Sequence, residues 1–147
     1  YTIYENLSVP LKQHTKLPQG IIRHRIQVKR ELLGIGSTID SMPDELSGGM
    51  QKRAALGRSI AMDPELLFCD EPTSGLDPIT SKRLDNLILS LREKLDMSVV
   101  IVSHDVGSIR NLADRIVYME DGQILFAGTM KEAEESDIQG IMDFFAD

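Results

Sequence analysis

The chain reads as an α/β protein: a helical N-terminal part followed by a core built on parallel strands. Three observations predict this. Residues 1–62 carry helical apolar spacing and helix cap signals. Residues 65–102 then run from an apolar stretch through an amphipathic helix to a β-branched stretch, the order of a parallel crossover. Both apolar stretches end in ionisable residues, Asp70-Glu71 and His104-Asp105, and parallel strands gather functional groups just beyond their C-terminal ends.

Taken in order, Thr2 and Glu5 have capping-box spacing, so a helix starts there. Pro10, which has no N–H, is expected to keep it short. A second helix is predicted from Pro18 to Leu33, with Ile22, Ile26 and Leu33 on one face, Val28 and Leu32 close by, and Gly34 as its stop. Arg23, Arg25, Lys29 and Arg30 are expected largely on the other, solvated side. A loop over residues 36–45 leads into Leu46-Ser47-Gly48-Gly49 and a third helix, expected to persist to about Met62 before Asp63-Pro64 ends it. The run Glu65 to Cys69 suits a strand buried on both faces. A helix from Pro78 to about Leu95 follows, with Leu84, Leu87, Ile88, Leu91 and Leu95 at helical spacing, and Ser98 to Val102 forms the second strand. Arg115–Met119 and Ile124–Ala127 flank Glu120-Asp121-Gly122-Gln123 as a hairpin. Thr129 and Glu132 form another capping box, and Ile138, Ile141, Met142 and Phe145 suit a closing helix.

Composition narrows the class. With 147 residues, 41% hydrophobic and 27% charged, the chain is long enough for one core and too apolar to be disordered by default. Its longest stretch free of Asp, Glu, Lys and Arg is Gly122 to Met130, against the roughly 18 apolar residues a membrane span needs. The opening Tyr1-Thr2-Ile3-Tyr4-Glu5 has no basic start or apolar signal core. A single cysteine, Cys69, excludes an internal disulfide and a cysteine-based zinc site and points to a reducing compartment. The net charge of −7 is uneven: residues 1–62 hold nine Lys/Arg against five Asp/Glu, residues 63–147 seven against eighteen. An acidic second part opposes nucleic-acid binding, and the basic first part reads as a solvated helical face or a surface for an acidic partner.

The chemistry sits at the strand ends and at one glycine turn. Asp70-Glu71 suits nucleotide hydrolysis, one carboxylate holding Mg²⁺ and its neighbour orienting or deprotonating the attacking water; it suits an acidic loop equally well. A neutral His104 can hydrogen-bond a terminal phosphate, although a lone histidine is more often structural. Leu46-Ser47-Gly48-Gly49-Met50 opens a helix with a hydroxyl and two glycines, which lets backbone N–H groups approach a phosphate at the positive end of the helix dipole. Capping alone would account for one glycine, not the set.

These residues resemble a known family. Leu46-Ser47-Gly48-Gly49-Met50 is similar to the signature motif of ABC-type ATPases, Leu66 to Glu71 to the Walker B motif with its catalytic Glu, Ser74-Gly75-Leu76-Asp77 to the D-loop, and His104 to the switch histidine, in the family's order. The resemblance implies a partial P-loop NTPase (ABC ATPase) fold: a helical signature subdomain over residues 1–62 and the C-terminal part of a RecA-like core over 63–147. It implies that Asp70 supports Mg²⁺ through its water shell, that Glu71 is the general base, and that His104 contacts the terminal phosphate and attacking water. Ser47, Gly48 and Gly49, with Met50, would cradle ATP bound to the other subunit of a head-to-tail dimer, and Ser74 and Asp77 would couple the two sites. Cys69 reads as a small buried apolar residue.

Met50 stands where many relatives have Gln. With Lys52-Arg53-Ala54-Ala55-Leu56, Asp77-Pro78-Ile79-Thr80 and the ending Phe144-Phe145, it resembles the branch serving MCE/Mla-type lipid transporters. That implies a membrane permease partner, an MCE-type lipid-binding accessory protein, and a cytoplasmic position on the inner face of the plasma (inner) membrane. No Gly-Lys dipeptide occurs, so the phosphate-binding G-x-x-x-x-G-K-[ST] loop is not among these residues, and the family's Gln-loop and adenine-stacking aromatic would lie upstream of Tyr1. The chain alone is therefore expected not to hydrolyse ATP. Two other classes are open: a short non-catalytic module that binds a permease or a full-length ATPase, and an ABC ATPase of DNA repair or translation, which the acidic second part disfavours.

Overall fold

Thr2 starts the first helix as its spacing to Glu5 requires: its N–H donates to the Glu5 carboxylate at 2.8 Å, and its hydroxyl accepts the Glu5 N–H at 3.2 Å. The structure, a computed structural model, describes residues 1–146. Helix α1 (Ile3–His14) buries Ile3, Leu7 and Leu11, a stripe at four-residue spacing that packs on the second and third helices. Pro10 lies inside it rather than ending it. Proline cannot donate to the Asn6 carbonyl, a loss on the order of 3 kcal/mol. Full burial of Leu11, one residue beyond, returns about 1.5–3 kcal/mol, so packing carries the helix past the proline.

Helix α2 (Gln19–Leu33) ends as expected at Gly34, whose φ of 64° is left-handed and whose N–H donates to the Arg30 and Glu31 carbonyls. The Arg53 guanidinium donates to the Leu33 carbonyl at 2.8 Å, satisfying another of the helix's terminal acceptors. Its buried face is Ile22, Ile26, Lys29 and Leu33, so Lys29 is not on the solvated side. Spacings of four, three and four residues put Lys29 on the apolar stripe, where its stem is buried and its ammonium pairs with Asp63. The Arg25 guanidinium meets the other Asp63 oxygen at 3.0 Å.

Two short 3₁₀ turns, Gly36–Thr38 and Pro43–Glu45, occupy the loop before α3 (Gly48–Ser59). This helix stops at Ser59, three residues before the expected end. Ile60 and Ala61 are drawn into the core, and Asp63, at a left-handed φ of 52°, turns the chain so that its carboxylate reaches Lys29.

Strand β1 (Leu66–Asp70), helix α4 (Pro78–Leu95) and strand β2 (Ser98–Val102) form the expected crossover, with the strands parallel and Leu66 opposite Ser98 through to Asp70 opposite Val102. The expectation of a strand buried on both faces fails. Leu67 is buried, whereas Leu66, Phe68, Val100 and Val102, which share the opposite face, are exposed, Phe68 at 71%. Among the described residues only one side of this two-stranded sheet is covered, and α4 turns Leu84, Ile88 and Leu91 inward.

The chain divides into two compact units, Tyr1–Val102 and a second beginning at Ser103. In the second, Asp105 caps a helix absent from the sequence reading, α5 (Val106–Leu112), by accepting the Ser108 N–H at 2.8 Å. Strands β3 (Arg115–Glu120) and β4 (Gln123–Thr129) form the hairpin, and Asp121 and Gly122, both at positive φ, make its turn. A bulge leaves Leu125 between the pairs Tyr118–Phe126 and Met119–Ile124. Thr129 caps α6 (Met130–Glu134) through the predicted box, and α7 (Gln139–Ala146) closes the unit. Ile141 is buried, but Met142 is half-exposed, and Phe145 instead stacks under the Arg110 guanidinium at 5.5 Å.

Because Lys29 is buried and Asp63 neutralises it, Asp63→Asn should lower unfolding free energy by about 2 kcal/mol in urea titrations. Adding Lys29→Met should recover part of that loss, since it removes the uncompensated charge.

Candidate functional site

The parallel ladder delivers Asp70 to the exposed C-terminal end of β1. Glu71 continues one rung further, its N–H donating to the Val102 carbonyl at 2.8 Å, and then bends the chain at a φ of 46°. That left-handed conformation is uncommon for a residue with a Cβ and persists only when its surroundings hold it. Two turns follow: the Ser74 N–H donates to the Glu71 carbonyl and the Leu76 N–H to the Thr73 carbonyl, both at 3.2 Å, with Gly75 at a φ of 77° and Thr73 buried beneath. Asp77 then caps α4, one carboxylate oxygen accepting the N–H groups of Ile79 at 3.1 Å and Thr80 at 3.0 Å. Hydrogen bonds from the Thr80 side chain and then its backbone hold the Asp77 carboxyl below the usual carboxylate range.

The glycine turn stands beside this loop. Ser47 caps α3 by accepting the Met50 N–H at 3.4 Å, and the amides of Gly48 and Gly49 fall in the first turn, where a helix supplies no internal acceptor. Gln51 braces the turn from behind, donating to the Pro43 carbonyl at 2.9 Å and the Leu46 carbonyl at 3.2 Å. Gly49 is required by packing: a Cβ there would lie 2.7 Å from the Thr80 methyl, and one on Gly48 would lie 3.4 Å from a Leu76 methyl. The Lys52 ammonium donates to the Glu71 carbonyl at 3.2 Å and to the Ser74 hydroxyl at 3.1 Å.

The first unit thus brings together Ser47, Gly48, Gly49, Met50, Asp70, Glu71, Ser74 and Asp77. His104 belongs to the second unit, exposed just before the Asp105 cap of α5. Burial pushes the Cys69 thiol up, which suits an inert apolar role. Lys52, Gln51 and Thr80 had no place in the sequence reading as site residues. Lys52 could have been found, because it lies three residues beyond Gly49 and so on the same helix face. Among the described residues no three of His, Cys, Asp and Glu cluster as a metal cage. Mg²⁺ does not require such a cage, since one or two carboxylates suffice with water and phosphate oxygens completing its shell, and Asp70 stands exposed at the strand end as a carboxylate of that kind. No helix among the described residues is long and apolar enough to cross a membrane.

Two consequences are measurable. Gly49→Ala should destabilise the fold by about 1–2 kcal/mol through overpacking, and Thr80→Ser, which removes the opposing methyl, should restore most of it in chemical denaturation. The Asp77 cap contributes stability above the unfolded carboxyl pKa of 3.8 and loses it as pH falls from there through the lowered folded value. Melting curves at descending pH should show Asp77→Asn, which keeps the acceptor but does not titrate, losing less stability across that window than the native chain.

The ABC transporter family model matches residues 1–74, half of the chain. The intermembrane phospholipid transport system ATP-binding protein MlaF of Haemophilus influenzae is 38% identical over 141 residues, covering 96% of this chain and 53% of that protein. MlaF of Escherichia coli K12 is 40% identical over 127 residues, 86% of this chain and 47% of that protein. The probable ribonucleotide transport ATP-binding protein mkl of Mycobacterium leprae is 40% identical over 114 residues, 78% of this chain and 33% of that protein. The chain spans about half the length of the MlaF relatives. The solved structure of cbiO1 from Clostridium perfringens, part of the ABC transporter complex cbiONQ, superposes with a TM-score of 0.82 at 26% identity, over 99% of this chain and 60% of that one. With the family model matching half of its length and these relatives aligned along it, the chain belongs to the ABC transporter ATPase family.

Proposed function

We propose that the chain is the C-terminal part of the ATP-binding and hydrolysing subunit of an ABC transporter that moves phospholipid or a related lipid. The observation that carries this is the glycine-rich N-terminus of α3 packed beside a turn that follows Asp70-Glu71 at the end of a parallel strand. In this reading residues 1–62 are the helical signature subdomain and 63–147 the C-terminal part of the RecA-like core. Asp70 would hold Mg²⁺, which would supply neutralisation of the phosphate charge. Glu71 takes the proton of the attacking water, and His104 contacts the terminal phosphate. Ser47, Gly48, Gly49 and Met50 face ATP held by a second, head-to-tail subunit, using backbone N–H groups and the helix dipole. Ser74 and Asp77 couple the two sites: the Asp77 carboxylate sets the start of α4, and Ser74 receives Lys52 from the glycine-turn helix.

Lipid cargo is supported by Met50 and by relatives. Those named for phospholipid transport align over up to 96% of this chain, those named for ribonucleotide transport over 78%. The partners are the second ATPase subunit, a membrane permease on whose cytoplasmic face the subunit sits, and an MCE-type accessory protein. Nucleic acid is not among them, because residues 63–147 hold eighteen acidic against seven basic side chains.

Triphosphate recognition comes chiefly from the phosphate loop, and these 147 residues contain no Gly-Lys dipeptide. The chain alone should therefore show no ATP turnover. In the full-length subunit Glu71→Gln should lower turnover by about 10²–10⁴-fold. Hydrolysis by the 147-residue chain that Glu71→Gln abolishes would overturn the first expectation; unchanged turnover in the full-length variant would overturn the role of Glu71. The second reading is a non-catalytic module that binds a permease or a full-length ATPase. An in-frame phosphate loop encoded upstream of Tyr1 selects the first reading, a start codon at that point the second.

A further inference from the structure

We propose that Lys52 is a positioning residue: its ammonium holds the Glu71–Asp77 turn to the glycine-turn helix, so that the two segments move as one block. The proposal rests on the ATPase reading above for its kinetic consequence, and on geometry alone for its structural one.

Two hydrogen bonds and two apolar contacts join the glycine-turn helix to the turn and the start of α4. The Lys52 ammonium donates to the Glu71 carbonyl at 3.2 Å and the Ser74 hydroxyl at 3.1 Å. Gly49 lies against the Thr80 methyl, and Gly48 against Leu76. The glycine contacts are apolar and can slide, whereas hydrogen bonds from a charged donor are directional and roughly twice as strong as neutral ones. Lys52 is therefore what sets the register of one segment on the other.

Its acceptor is the telling part. Glu71 sits at a φ of 46°, where a residue with a Cβ stays only if its peptide groups are held on both sides. The N–H side is held by the Val102 carbonyl at 2.8 Å; the C=O side is held by the Ser74 N–H at 3.2 Å and by Lys52. Removing the ammonium takes a charge-assisted hydrogen bond away from that peptide plane, which aims the Glu71 side chain. In the ATPase reading, α3 faces the neighbouring subunit's ATP while Glu71 serves its own. A strut between them makes occupancy of one site felt at the carboxylate of the other. Lys52 touches no reacting atom in this scheme and acts through Glu71.

The test uses the full-length subunit with Lys52→Met and Lys52→Arg, the latter keeping charge and reach. Lys52→Met should lower kcat about tenfold, the cost of a slightly misaimed base, while KM for ATP stays within about twofold. It should also speed hydrogen exchange at the Ser74 amide without a matching fall in melting temperature, and Lys52→Arg should restore most of that protection. Wild-type exchange at Ser74 in Lys52→Met overturns the strut. Faster exchange matched by a global loss of stability reduces Lys52 to an ordinary structural contact. If Lys52→Met does not fold, Lys52→Gln, which keeps one donor group, takes its place and should fall between Met and wild type. Glu71→Gln run alongside separates the two ideas. If it leaves turnover intact, the ATPase reading fails and the exchange data alone judge the strut; if it abolishes turnover while Lys52→Met changes neither kcat nor exchange, the strut fails and the ATPase reading stands.

Discussion

Five residues of β1 pair in parallel with five of β2, and the last rung, Asp70 opposite Val102, is where the site begins. The next N–H, that of Glu71, still finds a carbonyl on Val102. Only because that bond extends the ladder by one position can the chain then turn left-handed without losing its anchor. The turns at Ser74 and Leu76, the Asp77 cap and the direction of α4 follow from that bend. A slip of one residue would exchange the faces of the strand and carry Asp70 to the side occupied by Leu67.

The helical part answers to a different constraint. Its core is a set of stripes on α1, α2 and α3 that meet around Leu7, Leu11, Ile26 and Leu33, with Gly57 admitting the closest approach: a Cβ there would lie 2.6 Å from a Leu33 methyl. Two charged side chains work inside this apolar setting. Arg53 satisfies the end of α2, and Lys29 reaches Asp63 at the handover to β1. A buried ammonium is costly unless paired, so the pair is better understood as a device that fixes where α3 ends and β1 starts than as a large net gain in stability.

The residues of the candidate site serve the fold as well as any chemistry proposed for them. Ser47 and Asp77 both spend their side chains on helix caps, so whatever they present to a partner is presented through backbone and geometry as much as through their oxygens. Gly49 lets the start of α4 approach, since a Cβ there would lie 2.7 Å from the Thr80 methyl; in the proposed function Gly48 and Gly49 also leave the helix N-terminus open to an anion. Lys52, a residue outside that run, lies at the seam between the two segments.

Local features were readable from the sequence by itself. The capping boxes at Thr2 and Thr129, the Gly34 stop, the Asp121-Gly122 turn and the α4 boundaries depend on residues within a few positions of one another, and each appears where the spacing placed it. The runs that resemble family motifs, from Ser47 to Asp77, were legible as well, because family chemistry is written in short runs. What the sequence could not determine lay in contacts between distant residues. Pro10 is carried within α1 because Leu11 packs, Lys29 is buried because Asp63, 34 positions away, neutralises it, and α3 stops early because the core claims Ile60. Phe68 and Val100 are exposed because only one side of the two-stranded sheet is covered among the described residues. Lys52 joins the site because folding brings residues 19 and 22 positions away within reach of one ammonium. Spacing along a helix or strand sets direction and face, but burial and pairing depend on what the rest of the chain brings opposite, and only tertiary structure decides that.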